Sequence, residues 1–326
     1  MRARDSGRYC RGIGFTVALT IAGMVAATPA FAEVIEDGSI APTGANDWAC
    51  VPKATHPEPV VLVHGTWGNQ NSWDTLAPQL KALGVCVFSL NYGHAPFSVR
   101  GAAPGVFGTA DIRTSAKELG GFIDRVRAVT GAAKVDIVAH SQGGPLTRQY
   151  LRFEGGASRG DPARNKVDDL VTIAATHHGT TADGLGHLLP SGSAAGIADA
   201  LIARVLGTAA AQQLTGSEFI RTLNAAGDTE PGVQYTAIAS RVDRVVTPPE
   251  ATFLRAGRNA TVENFWVQDV CPTDTFHHGI LPDSPAVAFL VHRALGLPYA
   301  DDPCPAPDTD GPNQAVRPVG NGGSMR

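Results

Sequence analysis

After residue 27 the chain has no apolar run long enough to cross a bilayer. Basic residues are not in excess: 26 Lys and Arg stand against 30 Asp and Glu, for a net charge of −4. A mildly acidic surface argues against nucleic acid as a partner. Cysteine is sparse, at five residues, and the thiols are too scattered for a metal site, so no metal is expected; nor is a cofactor, since the serine chemistry read below needs none. The N-terminal segment lacks an adjacent arginine pair, which favours the general export route over the twin-arginine one. What that segment does have is a leader's pattern. Arg2, Arg4, Arg8 and Arg11 precede an apolar stretch over residues 13–27, and Ala30-Phe31-Ala32 fits the small-residue cleavage rule. The expected cut follows Ala32, making the mature protein secreted. Losing four arginines and Asp5 takes the net charge from −4 to −7. Cys10 lies ahead of the apolar stretch, so it is not a lipoprotein cysteine. The four remaining cysteines, Cys50, Cys86, Cys271 and Cys304, are an even number in an exported chain and imply two disulfides. Of the three possible pairings, Cys50–Cys86 with Cys271–Cys304 is favoured, because each ties a flank to a nearby core segment.

Residues 134–153 organise the rest. The apolar run at 135–139 reads as a buried strand and His140-Ser141-Gln142-Gly143 as a tight turn. Residues 145–153 read as a helix with Pro145 in its first turn. Strand, sharp turn and helix with serine at the tip is the nucleophile elbow of α/β-hydrolases, here A-H-S-Q-G in place of G-x-S-x-G. Small residues flank the serine because strand and helix backbones approach closely there, and Ala139 is small enough. Ser141 is therefore the expected nucleophile; the alternative is an ordinary turn with a capping serine. A dehalogenase or epoxide hydrolase would need aspartate where Ser141 stands.

Upstream, residues 59–63 read as a central strand ending in His64-Gly65-Thr66-Trp67-Gly68, where one oxyanion donor is expected. Thr66 is assigned that role, and the N–H of Gln142 the second. A helix is expected over 72–83, a strand over 85–90, a Gly/Pro-rich loop over 92–108 and an amphipathic helix over 110–130 stopped by Gly131. Downstream, residues 167–174 read as a strand leading to His177 and His178, read as loop residues and not as a base or metal site. Residues 182–231 form an excursion too long for an ordinary connection. Within it, residues 194–214 read as a cap or lid helix with Ile197, Leu201, Val205 and Leu206 on one face. Residues 233–239 are the next strand, and Asp243 just beyond it is the expected acid, with Asp228 and Asp269 as competitors. Residues 262–270 read as a last strand. Residues 285–295 read as a closing helix capped by Asp283 or Ser284. The base lies at His277 or His278, which spacing does not separate. Ser, then Asp, then His is the chain order of α/β-hydrolases.

The segments PVVLVHGTWGNQNSW, VDIVAHSQGG, QQLTGSEFIRTLN, YTAIASRVDRVVTP and the QDVCP ending resemble the secreted bacterial class 2 lipase/esterase family. The resemblance spans roughly residues 48–295. It implies Ser141 as nucleophile, Asp243 as acid and Thr66 with Gln142 as oxyanion donors. It favours His277 over His278, since the family's histidine is followed by one residue and then Gly. It also suggests the Cys50–Cys86 disulfide. The expected organisation is a leader (1–32), an irregular lead-in (33–58), an α/β-hydrolase domain with a mostly parallel sheet (59–299, cap or lid at 182–231) and a tail (300–326). The expected activity is hydrolysis of carboxylic esters of lipids, a triacylglycerol lipase or carboxylesterase working on substrate in solution or at an oil–water interface. No stable protein partner is implied. Acyl transfer or thioester hydrolysis on the same triad is the rival enzyme reading, and a non-catalytic hydrolase-like binding protein the rival of another class.

Overall fold

The computed structural model describes residues 38–186 and 199–306. The expected leader, the first residues of the lead-in, residues 194–198 of the expected cap helix and the tail beyond 306 lie outside the described residues.

Six strands form one parallel sheet: β1 (Val60–Val63), β2 (Val87–Leu90), β3 (Val135–His140), β4 (Val167–Ile173), β5 (Gln234–Ala239) and β6 (Thr261–Trp266). Their spatial order is β2-β1-β3-β4-β5-β6, so the elbow strand β3 lies between β1 and β4 near the middle. The helices among the described residues are α1 (Leu76–Ala82), α2 (Ile112–Thr130), α3 (Gly143–Phe153), α4 (Ala182–Gly186), α5 (Asp199–Leu206), α6 (Thr208–Gln212), α7 (Glu218–Asn224), α8 (Val267–Val270) and α9 (Pro285–Ala294). They cover both faces, which is why the central strands are apolar without alternation. On one face Val61, Val63, Phe88, Ile137 and Ala139 pack with α2, α3 and α7. On the other, Val60, Leu62, Val87, Val138 and Val171 pack with α1 and α9.

Local chemistry sets the helix ends. The Asp111 carboxylate accepts the N–H groups of Arg113 (2.8 Å) and Thr114 (3.2 Å) at the start of α2, and Gly131, at φ 72°, closes it. The apolar stripe of α2, from Ile112 through Leu119 and Ile123 to Val126, is fully buried, each such side chain contributing about 1.5–3 kcal/mol. At α9 the cap is Ser284, whose hydroxyl accepts the Val287 N–H at 3.3 Å.

Two expected elements come out differently. The strand read over 262–270 breaks after Trp266, and residues 267–270 coil into α8. Pairing with β5 ends at Ala239–Trp266, so the edge strand has no ladder to continue. The cap helix is two short helices, α5 and α6, separated by Gly207 at φ 102°. Its buried face carries Ile202, Leu206 and Ala210, packed with Trp67, Val106 and Leu185, while Leu201 points outward and is half exposed. The cap is thus packed against the loop that follows β1. Both disulfides pair as expected, Cys50 with Cys86 and Cys271 with Cys304.

At the edge of the sheet where β3 begins, opposite Ser141, the carboxylates of Asp136, Asp168 and Asp169 converge within 4.8 Å. Lys134 pairs with Asp168 at 2.6 Å, and Asp136 accepts the Asp169 N–H at 3.1 Å. Burial, reinforced by Asp169, pushes the Asp136 carboxyl up to about 9. The folded state therefore favours protonated Asp136. The stability contributed by this one group is fully present below the ordinary carboxylate range and is lost as pH rises through about 9. Asp136→Asn keeps the acceptor oxygen without the charge. Its melting temperature should match wild type near pH 4 and exceed it by at least about 2–4 °C near pH 9. A difference that stays flat with pH in calorimetry would refute this.

Candidate active site

Strand β3 ends at His140, and the chain turns so sharply that Ser141 sits at φ 53°, in the left-handed region a non-glycine residue rarely occupies. The Ser141 N–H donates to the Ile173 carbonyl of β4 at 2.9 Å, which ties the turn to the sheet. Close backbone packing demands the neighbouring glycines. A Cβ on Gly143 would lie 2.7 Å from the Val63 carbonyl oxygen, and one on Gly65 would lie 2.9 Å from the Ser141 Cβ. The loop after β1 is thereby pressed against the elbow.

Asp243 lies in the turn after β5. One carboxylate oxygen accepts the N–H groups of Val245 (2.7 Å) and Val246 (3.2 Å), and the other faces His278 Nδ1 at 2.8 Å. Burial raises the Asp243 carboxyl. His278 and the two N–H groups outweigh it and hold the carboxyl below the usual range, so Asp243 is an anion. His278 Nε2 faces Ser141 Oγ at 2.9 Å. With Nδ1–H donating to Asp243, Nε2 is the acceptor for the serine hydroxyl. Asp243, His278 and Ser141 form one hydrogen-bonded chain, and all three are buried.

His278, not the favoured His277, occupies this position. His277 is exposed and precedes the 3-10 turn His278–Asp283 with extended backbone (φ −79°, ψ 166°). In extended backbone successive side chains point to opposite sides, so seating His278 inside sends His277 into solvent. His140 completes the seat: its Nε2–H donates to the His278 carbonyl at 3.0 Å, and the two rings lie 4.8 Å apart. Burial first, and then the neighbouring His278, holds His140 down to about 3, so it stays a neutral donor.

Thr66 and Gln142 are also brought together. The Gln142 side-chain amide donates to Thr66 Oγ1 (3.1 Å) and to the Gly108 carbonyl (2.9 Å), and Gln213 donates to Thr66 Oγ1 at 2.8 Å. Behind them Tyr92 donates its hydroxyl to the His64 carbonyl at 2.6 Å and stacks on the His64 ring at 4.3 Å. A cleft lined by Gly65, Thr66, Trp67, Arg100, Ser141 and His278 opens over this group.

Residues 57–279 match the family model of Lipase (class 2). The chain belongs to the class 2 lipase family. Two solved structures share its α/β-hydrolase fold. Aspergillus fumigatus lipase B is 22% identical, with a TM-score of 0.58 over 78% of this chain and 55% of that one. The propeptide form of a Bacillus licheniformis lipase is 18% identical, with a TM-score of 0.50 over 78% of this chain and 53% of that one. The chain spans about half the length of either.

Other sequence candidates lie away from Ser141. Asp228 pairs with His178 (3.2 Å) and the buried Arg148 (3.7 Å), and Asp269 pairs with Arg241 at the surface (2.7 Å). His177 is buried, with Nε2 at Thr172 Oγ1. Three residues escaped the sequence reading. His140 stands inside the elbow motif and Gln213 inside the QQLTG segment, so each had a local signal. Arg100 stands in the 92–108 loop with none.

Proposed function

We propose that this chain is an exported serine hydrolase that cleaves carboxylic esters of lipids, as a triacylglycerol lipase or carboxylesterase. The observation that carries this reading is the hydrogen-bonded chain from Asp243 through His278 to a strained Ser141. Family membership and the two disulfides support the ester chemistry and the export. Among the described residues no helix is long and apolar enough to cross a membrane.

Ser141 Oγ attacks the ester carbonyl while His278 Nε2 takes its proton. Asp243 holds the imidazole by Nδ1–H and balances the imidazolium. The backbone N–H groups of Thr66 and Gln142 receive the oxygen that turns negative, each contributing about 3 kcal/mol at the transition state. His278 then returns the proton to the leaving alcohol. A water, deprotonated by His278, attacks the acyl-Ser141 ester, and the acid departs with Ser141 re-protonated. Phe97, Val99 and Leu201 are exposed apolar side chains, and the backbone of Val99 is bonded to α5, which carries Leu201. Together they suit contact with an oil–water interface.

The test is active-site titration of the chain beginning at Glu33. Diethyl p-nitrophenyl phosphate should release one equivalent of p-nitrophenol, leave a phosphoryl adduct on Ser141 by peptide mapping, and abolish hydrolysis of p-nitrophenyl butyrate. An adduct elsewhere, or turnover that survives full labelling, would refute the reading.

A further inference from the structure

The cleft over Ser141 contains a cation that the proposed chemistry does not use. Arg100 lines the same wall as Thr66 and Trp67. Its guanidinium carbon stands 5.3 Å from the Trp67 ring centre, a cation–π distance. Both partners are anchored. The Trp67 indole N–H donates to the Leu206 carbonyl at 2.8 Å, and the Arg100 backbone N–H donates to the Val205 carbonyl at 2.9 Å. The end of α5 therefore fixes both sides of the stack. Among the described residues no carboxylate forms an ion pair with Arg100, and its Nε is buried with no hydrogen-bond partner.

A buried guanidinium donor without an acceptor is costly. What sets Arg100 apart from other arginines without an ion pair is its place: it lines the cleft of the reacting serine, and its terminal N–H groups, unlike the buried Nε, are left for an acceptor from outside. A guanidinium presents N–H donors in a planar fork that matches the two oxygens of a carboxylate or phosphate. Stacking on Trp67 occupies its face and leaves that fork along its edge.

We propose that Arg100 is an anion-binding subsite of the cleft, and that the enzyme prefers esters carrying a carboxylate or phosphate within reach of it over neutral esters of equal length. This rests on the hydrolase reading and adds the substrate's charge to it. The anion can arrive on the acyl arm, as in the half-ester of a dicarboxylic acid, or on the leaving group, as in a phosphate-bearing glyceride. The chemistry is the same, and two substrate pairs separate the sources.

The first pair is mono-p-nitrophenyl glutarate against p-nitrophenyl pentanoate. The second is dihexanoyl phosphatidic acid against dihexanoylglycerol. The readout is the ratio of kcat/KM, anionic to neutral, within each protein. In Arg100→Ala the ratio should fall at least tenfold for one pair, and that pair identifies the source. Arg100→Lys, which keeps the charge but not the fork, should retain part of the preference and guards against misfolding of the alanine variant. Added salt should lower the wild-type ratio. Ratios unchanged by Arg100→Ala in both pairs would overturn the proposal while leaving the hydrolase reading intact. If wild type hydrolyses none of the four, the hydrolase reading fails. Calorimetric binding of mono-p-nitrophenyl glutarate to Ser141→Ala, with and without Arg100→Ala, then decides the subsite: loss of binding in the double variant supports it and equal binding refutes it.

Discussion

Ser141→Ala should lower kcat on p-nitrophenyl butyrate by about a million-fold, the loss expected when the nucleophile of a coupled triad is removed. A slow residual rate over water, from the oxyanion donors and binding alone, is expected to persist. The fold should survive. Alanine has the same Cβ as serine, so the strain at φ 53° and the contacts around Gly65 and Gly143 are unchanged. The loss is one hydrogen bond, Ser141 Oγ–H to His278 Nε2, of about 1 kcal/mol. A few degrees in melting temperature bounds the shift for a domain of this size. A folded variant retaining 1% of wild-type turnover would remove Ser141 from the mechanism.

His278→Ala should be as damaging as the loss of the serine, since the two act as one unit. His277→Ala, one residue away, should change kcat/KM by less than about threefold, because the exposed His277 ring lies on the solvent side of the turn. Steady-state kinetics on the two variants and wild type settles the matter. Equal losses, or a larger loss at position 277, would show that the chain from Asp243 through His278 to Ser141 is not the working one. The comparison is sharp because both variants remove a histidine from the same loop, so charge and composition cancel.

The elements that the sequence made legible are those whose pattern is local. A continuous apolar run marked β1, and short mainly apolar segments marked β3 and β5. The Asp111 and Gly131 caps and the stripe between them marked α2. Glycine at 143 and the small Ala139 marked the elbow. Asp243, the acid of the proposed triad, was readable because it follows a strand at the place in chain order where such an acid is expected. Edge and cap were harder. Residues 262–270 read as one strand, yet the partner strand runs out at Ala239 and the chain coils. Of the face expected on α5, Leu206 is buried and Val205 partly buried in the cluster around Trp67, while Leu201 turns outward and Ile202 takes the buried place.

Short-range periods, steric demands and the order of residues along the chain pointed to the parallel sheet, to a serine at its elbow and to Asp243 after β5, whereas of three possible pairings of four cysteines the sequence only favoured the one that the structure holds. The tertiary structure decided which of two adjacent histidines faces Ser141. Both have the same chemistry, and what separates them is a hydrogen bond from His140, 138 residues away in sequence. It also decided that Arg100 lines the cleft, through a backbone bond to Val205 across 105 residues that no local pattern encodes.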